Sequence, residues 1–472
     1  MISDTLADLA RALGGRFTAP EPDRSRPGPP PTSPVTGASP VTGPVVIDSR
    51  EARPGSLFVA LAGDRTDGHR HVADALARGA VAVLAERPVP APAVVVPDTR
   101  RALIGLAARH RSRLAARTVI GITGSAGKTT TKDLLAHVLA PHGPTVANRL
   151  SFNNTLGLPL TLLSAGPDTR HLVLEMGGRR PGEIAHLADT ALPTIGVVTN
   201  TGTAHLGPFG GREGIRRAKS ELIRALPPEG TAVLNADDPA ILVLRGRAPG
   251  AILTFGTRNA DVLVEDLRLD EEARPRFTLR HDGRAERVAL GLHGPHQALN
   301  AAAATAAALA AGLELPEIAH ALRTARRATP SRMQLTRLAN GAIVLNDAFT
   351  ANPHAMDVAL HTLAALAAAG RRPIAVLGEM RDLGAGSADF HRRLGRRAAA
   401  LGAARLIGVG GPEAALMVTS ARRSGLDAGH AADPDRALAL LGAPRPHDVV
   451  LVKGSRAGGV EHVARALSAP PV

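Results

Sequence analysis

Apolar segments that predict strands alternate with helical segments along much of this chain. Between residues 118 and 256 the apolar segments are TVIGIT (118–123), HLVLEM (171–176), TIGVVTN (194–200), TAVLNA (231–236) and AILTFG (251–256). Strands that alternate with helices in this way are typical of a parallel sheet covered by helices. Residues 260–290 instead predict antiparallel strands, and the Ala-rich residues 296–326 predict helices.

The alternation restarts after Thr329-Pro330 and predicts a second, shorter doubly wound unit from GAIVLNDA (341–348), RPIAVLGEM (372–380), ARLIGVGG (404–411) and DVVLVKGS (448–455). Before residue 117, short strands and one helix predict a small α/β domain, with an N-terminal amphipathic helix and a flexible Pro-rich insertion at 20–44. We therefore predict an α/β fold of three domains, 1–116, 117–329 and 330–472, with a parallel-sheet P-loop domain in the centre and a Rossmann-like domain at the C-terminus.

Composition excludes several classes of protein. A chain of 472 residues has room for about three domains. It contains no apolar run near the roughly 18 residues that a membrane span needs. The N-terminus carries acidic residues and no apolar core segment, so we do not expect a signal peptide. The absence of cysteine excludes disulfides, thiolate metal sites and a cysteine nucleophile. We expect a cytoplasmic protein.

The net charge of +14 suggests nucleic-acid binding at first sight. The arginines are scattered, however, and stacking aromatics are scarce, with no Trp, no Tyr and 8 Phe. We therefore predict no nucleic-acid partner. Among 56 basic residues only four are lysines, at positions 128, 132, 219 and 453. Where arginine is so strongly preferred, each lysine is a candidate for a role that a guanidinium cannot fill.

The segment GSAGKTT (124–130) directly follows a predicted strand and directly precedes a predicted helix. Small residues let backbone N–H groups close around phosphates, and the helix N-terminus adds its positive end. The lysine can reach the terminal phosphates, and the threonine hydroxyl after it can bind Mg2+. We predict a phosphate-binding loop, called the P-loop below, made of Gly124, Ser125, Ala126, Gly127, Lys128, Thr129 and Thr130.

Three further residues are candidates for the same site. Glu175 ends a predicted buried strand, and His205 follows another. Because ligands bind at the carboxyl ends of parallel strands, both side chains belong near the P-loop, where they could bind a second Mg2+. Lys219 lies in a helix beside two arginines, and its retention suggests a special role such as a carbamylated lysine that bridges to metal.

These motifs and their order resemble the ATP-dependent Mur ligase family of peptidoglycan synthesis, from about residue 45 to the C-terminus. The segment at 48–84 resembles the substrate domain of the members that add D-Ala-D-Ala, and it separates the chain from other members. The other matching segments are NNTLGLPLTLL (153–163), EMGGRRPGEI (175–184), AHLGPFG (204–210), AKSELI (218–223), NADD (235–238), LGEMRDLG (377–384) and VLVKGSRAGG (450–459).

The resemblance implies ATP and Mg2+ as cofactors and the addition of D-Ala-D-Ala to UDP-MurNAc-tripeptide through an acyl phosphate. It implies that the C-terminal domain closes around ATP, and we expect a monomer without membrane insertion. The implied catalytic residues are Lys128, His205, Lys219 and Arg332, and the implied metal ligands are Thr129, Glu175, His205 and Lys219. ATP would also contact Asn300, Asp347 and Asn352. The implied substrate residues are Ser49, Arg50, Asp67, Gly68, His69, Lys453 and Arg456.

One segment departs from the family pattern and keeps alternatives open. The family commonly has a tyrosine and an asparagine where this chain has Phe349 and Thr350, and a glycine or tryptophan where it has Ser331. A related ligase for a different amine therefore remains an alternative. Independently of these departures, a P-loop ATPase without ligase activity and a MurE-like or folylpolyglutamate-synthase-like enzyme are further alternatives. The sequence does not decide whether the third residue of the acceptor peptide is lysine or diaminopimelate.

Overall fold

The computed structural model describes residues 4–19, 35–63, 66–326 and 329–469. Residues 20–34 of the predicted insertion lie outside the described residues, as do residues 64 and 65 next to the predicted uridine-binding residues. Within the described ranges the protein has three β-sheets with their helices, as the sequence predicts. None of the helices in these ranges is long and apolar enough to cross a membrane.

The described residues form two compact units. The first comprises the described part of the chain up to Val119, together with His142–Met176 and His186–Pro193. The second comprises Ile120–Pro141, Gly177–Ala185 and the described residues from Thr194 onward. Neither unit coincides with one of the three domains predicted from the sequence, so those boundaries stay predictions.

The first sheet lies in the first unit and has the strand order β1-β5-β4-β3-β2, parallel except for β1. Its strands are β1 Arg16–Thr18, β2 Val45–Val46, β3 Ser56–Val59, β4 Ala80–Ala85 and β5 Ala93–Val95. The helices are α1 Leu6–Ala12, α2 Val72–Ala77 and α3 Thr99–Arg113. The predicted N-terminal helix is therefore present, with Thr5 as its N-cap.

The second sheet has nine strands: β6 Thr118–Thr123, β7 Thr145–Ala147, β8 His171–Glu175, β9 Ile195–Val198, β10 Thr231–Asn235, β11 Ala251–Gly256, β12 Val262–Leu269, β13 Pro275–His281 and β14 Arg284–Ala289. In the second unit they adjoin in the order β14-β13-β12-β11-β10-β9-β6, where β13 is antiparallel to both of its neighbours, β12 and β14, and the other pairs are parallel. In the first unit β7 pairs with β8 in parallel. The helices are α4 Lys128–Leu139, α5 Gly157–Leu163, α6 Glu183–Ala191, α7 Arg212–Arg224, α8 Pro239–Leu242, α9 Gln297–Ala310 and α10 Leu315–Thr324.

The third sheet belongs to the second unit and has the order β15-β16-β20-β17-β18-β19, parallel except for β15. Its strands are β15 Gln334–Arg337, β16 Ile343–Asn346, β17 Arg372–Gly378, β18 Arg405–Val409, β19 Asp427–Ala431 and β20 Asp448–Lys453. Its helices are α11 Pro353–Ala367, α12 Ser387–Ala400, α13 Pro412–Arg423, α14 Pro434–Leu441 and α15 Glu461–Ser468.

Both faces of the third sheet are buried, which explains why its strands read as continuous apolar runs. Successive residues of a strand point to opposite faces. Accordingly Leu345 packs in one core with α11, α12 and α13, and Val344 packs in another with α14 and α15. Apolar side chains occupy both faces of these parallel strands. The polar residues of the candidate site therefore lie at the carboxyl ends of the strands.

Candidate active site

The P-loop joins the end of β6 to the start of α4 in a conformation that requires glycine at two positions. Gly124 has a φ of +148° and Gly127 a φ of +82°. A Cβ on Gly124 would lie 1.9 Å from Thr199 Oγ1, and a Cβ on Gly127 would lie 2.4 Å from Asn300 Oδ1. Side chains are therefore excluded where the loop passes its neighbours, and the first N–H groups of α4 are placed for anion binding.

Residues after β9 hold the P-loop from one side. Ala126 N–H donates to Asn200 Oδ1 at 3.0 Å, and Asn200 Nδ2 donates back to the Ala126 carbonyl at 3.0 Å. Thr199 Oγ1 donates to the same carbonyl at 2.6 Å. Lys128 Nζ donates to the Gly124 carbonyl at 2.7 Å, so its ammonium lies over the loop. Thr199 and Asn200 were not among the predicted site residues. Their position directly after β9 indicated that they could lie near a ligand, because ligands bind at the carboxyl ends of parallel strands.

Lys219 lies on α7 with only 3% of its surface exposed. Its Nζ is 3.4 Å from Thr123 Oγ1 and 5.9 Å from the centre of the Phe209 ring. Burial, together with the nearby positive charge of Lys128, lowers the pKa of Lys219 from 10.5 to about 7. A lysine with such a pKa is in part a neutral amine at physiological pH, which is the form that reacts with CO2.

His205 follows β9 in a left-handed backbone conformation, with a φ of 58°. Its Nδ1 lies 2.9 Å from an oxygen of Asp382, in the loop after β17. Burial lowers the pKa of His205, and the hydrogen bond to Asp382 opposes this effect in part. Asp382 was not among the predicted site residues.

Residues of the third sheet also contact the P-loop. The Arg332 guanidinium donates to Thr129 Oγ1 at 3.2 Å and stacks 4.4 Å above the Phe349 ring centre. Asn352 Nδ2 donates to the Ser125 carbonyl at 3.5 Å. The structure therefore brings together predicted residues that are more than 200 positions apart in the chain.

A cavity opens beside the first turns of α4 in the second unit. It is lined by Thr130, Asp133, Gln297 and Arg332, among others. Asn300, one turn along α9 from Gln297, donates to its Oε1 at 2.8 Å. The cavity therefore adjoins the P-loop on the side of α9, and it offers both amide and apolar groups.

A residue that contacts substrate is expected to be accessible, but Lys453 is buried and paired within the protein. It is only 1% exposed, and its Nζ donates to Asp347 Oδ2 at 2.6 Å and to the Thr350 carbonyl at 2.8 Å. The Asp347 carboxylate also accepts from Met333 N–H at 3.1 Å. The pair therefore supports the turn at 347–350, and the predicted contact of Lys453 with substrate stays a prediction. Arg456 is exposed, 5.9 Å from the Phe349 ring centre.

The remaining predicted residues lie in the first unit. Asp67 accepts from His69 Nδ1 at 2.6 Å and from Arg87 at 2.6 Å, and these contacts, the one with Arg87 foremost, hold its pKa well below the usual range. A Cβ on Gly68 would lie 2.7 Å from Leu61 N. Arg50 pairs with Asp48 at the start of the short helix that includes Ser49.

Glu175 ends β8 in the first unit, and it is 1% exposed. Its Oε1 accepts from Asn153 Nδ2 at 2.6 Å, and its N–H donates to Asn148 Oδ1 at 2.6 Å. The two asparagines therefore fix both the backbone and the carboxylate of Glu175. Asn153 lies in the NNTLG segment that resembles the family, whereas Asn148 was not among the predicted residues.

Comparison with known proteins identifies the family. Residues 44–111 match the catalytic domain of the Mur ligase family, residues 122–308 the Mur ligase middle domain, and residues 331–456 the Mur ligase glutamate ligase domain. The chain is 43% identical to the UDP-N-acetylmuramoyl-tripeptide–D-alanyl-D-alanine ligase of Mycobacterium tuberculosis, over 99% of this chain and 98% of that one. The chain belongs to the Mur ligase family. The Escherichia coli ligase of the same name is 34% identical over 99% of both chains.

Solved structures of Mur ligases share the fold over nearly the whole chain. MurF from Acinetobacter baumannii superimposes with a TM-score of 0.85 at 31% identity, covering 99% of each chain. MurF from Thermotoga maritima, solved in complex with ADP, gives a TM-score of 0.77 at 31% identity and covers 91% of this chain and 97% of that one. The expected three-domain α/β architecture is therefore confirmed.

Two of the three departures from the Mur ligase pattern, Phe349 and Thr350, lie in one turn and have different surroundings. Phe349 keeps an aromatic ring under the Arg332 guanidinium, which needs a π face and no hydroxyl. Thr350 contributes its backbone carbonyl to Lys453, a contact that any side chain permits. In this Mur ligase the turn at 347–350 is therefore held by contacts that survive both changes.

Proposed function

We propose that this chain is an ATP-dependent ligase that joins D-alanyl-D-alanine to a UDP-N-acetylmuramoyl-tripeptide. The observation that carries the proposal is full-length similarity, at 43% identity, to a ligase of that name. The contacts of Arg332 and Asn352 with the P-loop support it, because they bring a guanidinium and an amide from the C-terminal part of the chain to the loop that we expect to bind phosphate.

ATP would bind with its phosphates on the P-loop and its adenine in the cavity beside α4, near Asn300. In the first step a carboxylate oxygen of the tripeptide attacks the γ-phosphorus, and the bond from phosphorus to the bridging oxygen of ADP breaks. Lys128 would move from the Gly124 carbonyl to the γ-phosphate, and Arg332 would neutralise the same group. Such positive charges stabilise the transition state of phosphoryl transfer.

In the second step the amine of D-Ala-D-Ala attacks the acyl carbon of the acyl phosphate. Inorganic phosphate leaves with the electron pair of its bond to carbon, and the nitrogen loses a proton as the amide forms. No enzyme nucleophile is needed, in keeping with a chain that has no cysteine. Ser49, Arg50, Asp67, Gly68 and His69 would bind the uridine nucleotide of the first substrate.

The residues present fit Mg2+ by the chemistry of their donors. Thr129 and Glu175 are buried oxygen donors, and neutral Lys219 becomes one when its amine takes up CO2 as a carbamate. Thr129, carbamylated Lys219 and His205, which all belong to the second unit, would hold the ion, which supplies positive charge to the phosphates. The role of Glu175 as a further ligand stays a prediction. No group of three or more acidic, histidine or cysteine side chains forms a metal cage within the described ranges. A site completed by phosphates and water is the usual arrangement for Mg2+.

A phosphate-release assay with UDP-MurNAc-tripeptide and a panel of amines tests the proposal. D-Ala-D-Ala should give the highest kcat/KM, and mass spectrometry should show the pentapeptide product. The double variant Phe349→Tyr, Thr350→Asn should change kcat/KM by less than about tenfold, or about 1.4 kcal/mol, since the wild-type contacts already hold the turn.

A clear preference for another amine would instead favour a related ligase with a different amine substrate. The changes at Phe349 and Thr350 are the observation that motivates this alternative. ATP hydrolysis without any ligated product would favour the ATPase alternative. Assays with tripeptides that end in lysine or in diaminopimelate would identify the third residue of the acceptor.

A further inference from the structure

Two loops on different sheets of the second unit meet at His205 and Asp382. The loop after β9 carries His205, and the loop after β17 carries Asp382. The side chains approach to 2.9 Å, and Gly207 N–H donates to the Asp382 carbonyl at 3.1 Å. A Cβ on Gly207 would lie 3.1 Å from Gly384 N, so the two backbones are in close contact. A side-chain and a backbone hydrogen bond therefore fix one loop against the other.

Both residues of the pair adopt a backbone conformation that is unfavourable for them. His205 has a φ of 58° and Asp382 a φ of 60°. A positive φ is uncommon for residues other than glycine, although Asp and His adopt it more often than most. Such a conformation persists where the surroundings determine it, and it occurs preferentially at functional sites. Here two residues with positive φ are paired with each other, one on each loop.

The contact determines which nitrogen of a neutral His205 ring carries the proton. A carboxylate oxygen can only accept, so Nδ1 carries the hydrogen and donates it to Asp382. Nε2 then keeps its lone pair and can accept a proton or bind a cation. A carboxylate that holds the second nitrogen of a functional histidine fixes both its tautomer and its orientation.

We propose that Asp382 is a positioning residue that holds His205 in the Nδ1–H tautomer, with Nε2 available to the reaction centre. The role of His205 in ligation rests on the proposed function, whereas the contact itself does not. Asp382 lies in a loop of the third sheet and His205 in a loop of the second. The imidazole ring is therefore held in this orientation only when the two sheets are docked. Docking of the third sheet then prepares His205 as well as bringing Arg332 to the P-loop.

Three variants test the role of Asp382. Asp382→Ala removes the acceptor, and Asp382→Asn keeps a neutral acceptor oxygen. Asp389→Ala is the matched control, because Asp389 is an exposed carboxylate on α12 that forms an ion pair with Arg393. Thermal unfolding of each variant shows whether it is folded.

The first readout is the imidazole 15N spectrum of the histidine-labelled, nucleotide-free protein, with His205 assigned by its loss in His205→Asn. We expect the Nδ1–H tautomer in wild type, Asp382→Asn and Asp389→Ala, and the Nε2–H tautomer in Asp382→Ala. The second readout is ligation, where Asp382→Ala should lower kcat by about 10–100-fold with little change in the KM for the nucleotide substrate. Asp382→Asn should retain more activity than Asp382→Ala.

An unchanged tautomer in a folded Asp382→Ala protein would overturn the proposal, whatever its activity. So would a tautomer change that leaves kcat within twofold of wild type. If Asp382→Ala does not fold, the Nε2–H tautomer in folded Asp382→Asn would overturn it as well, and the Nδ1–H tautomer together with retained activity would support it. Failure of the wild type to ligate any amine would refute the proposed function instead, and the spectra would still report on the contact.

Discussion

Replacing Lys219 by methionine should stabilise this protein at neutral and acidic pH while abolishing its activity. The lysine is 3% exposed, and its Nζ lies 3.4 Å from the Thr123 hydroxyl. No carboxylate among the described residues forms an ion pair with it, so its charge is buried at a cost. Methionine has a similar length, is apolar and fills irregular space readily, so it should remove this cost without leaving a large cavity.

The magnitude follows from the pKa of Lys219. The fall from 10.5 to about 7, at 1.36 kcal/mol for each pH unit, corresponds to about 5 kcal/mol. Relaxation of the folded state and loss of the contacts with Thr123 and Phe209 reduce the gain, so we expect about 2–5 kcal/mol. Because the folded-state pKa is lowered, the penalty is fully present below pH 7. It declines as pH rises towards 10.5, since the unfolded chain binds one more proton than the folded protein in that window.

Thermal unfolding in CO2-free buffers from pH 6 to 10 measures the difference between wild type and Lys219→Met. CO2 must be absent because a carbamate would abolish the buried positive charge. Lys132→Met is the matched control, because Lys132 is equally buried but pairs with Asp133 at 2.9 Å. Its loss should destabilise the protein, since it leaves a carboxylate without that partner. A Lys219→Met protein less stable than wild type at pH 6, or a difference that does not vary with pH, would refute the reasoning.

Two further predictions concern the P-loop. Lys128→Ala should lower kcat by on the order of 10²-fold or more with the circular dichroism spectrum unchanged, because it removes one charge from the transferring phosphoryl group; near-normal ligation would exclude Lys128 from the mechanism. Gly127→Ala should weaken ATP binding, measured by calorimetry, and destabilise the protein by more than about 1 kcal/mol, since φ is +82° and the new Cβ would lie 2.4 Å from Asn300 Oδ1. Gly246→Ala, which meets no atom within 4 Å, should change stability by less than about 0.5 kcal/mol, and equal effects of the two would contradict the steric argument.

The sequence predicted the strands of the second sheet from β8 onward, and in the third sheet it predicted the interior strands but neither edge strand. The predicted strand at 251–256 coincides with β11, and the antiparallel strands predicted within 260–290 are β12, β13 and β14. By contrast β15 and β19 were not predicted. They lie at the two edges of the third sheet, and β19 reads DAGHA, with exposed positions that break any apolar run. An edge strand is defined by its one neighbour, and a local pattern does not contain that information.

The residues of the candidate site likewise fall into those that a local motif identifies and those that only the fold brings together. The P-loop could be predicted because phosphate binding needs particular residues at consecutive positions, and the structure gives that segment the expected strand–turn–helix context. Asp382 could not be predicted as the partner of His205, because the two are 177 positions apart and meet only when two sheets dock. The support that Lys453 gives to Asp347 was missed for the same reason. Positions with local chemistry can be found from the sequence, whereas the residues that orient them require the fold.

Only four of the 56 basic residues are lysines, and the fold gives different physical reasons for retaining lysine at different positions. Lys132, Lys219 and Lys453 are each at most 3% exposed, and Lys128 lies in the P-loop. At Lys219 arginine would fail because a guanidinium stays charged in proteins and cannot offer a neutral amine. At Lys453 the reason is size, because one compact ammonium reaches both a carboxylate and a carbonyl of a single tight turn, and a planar guanidinium would have to push that turn apart. Three of the four lysines that this arginine-rich chain retains are therefore buried, and the roles proposed for Lys128 and Lys219 depend on the surroundings of each ammonium.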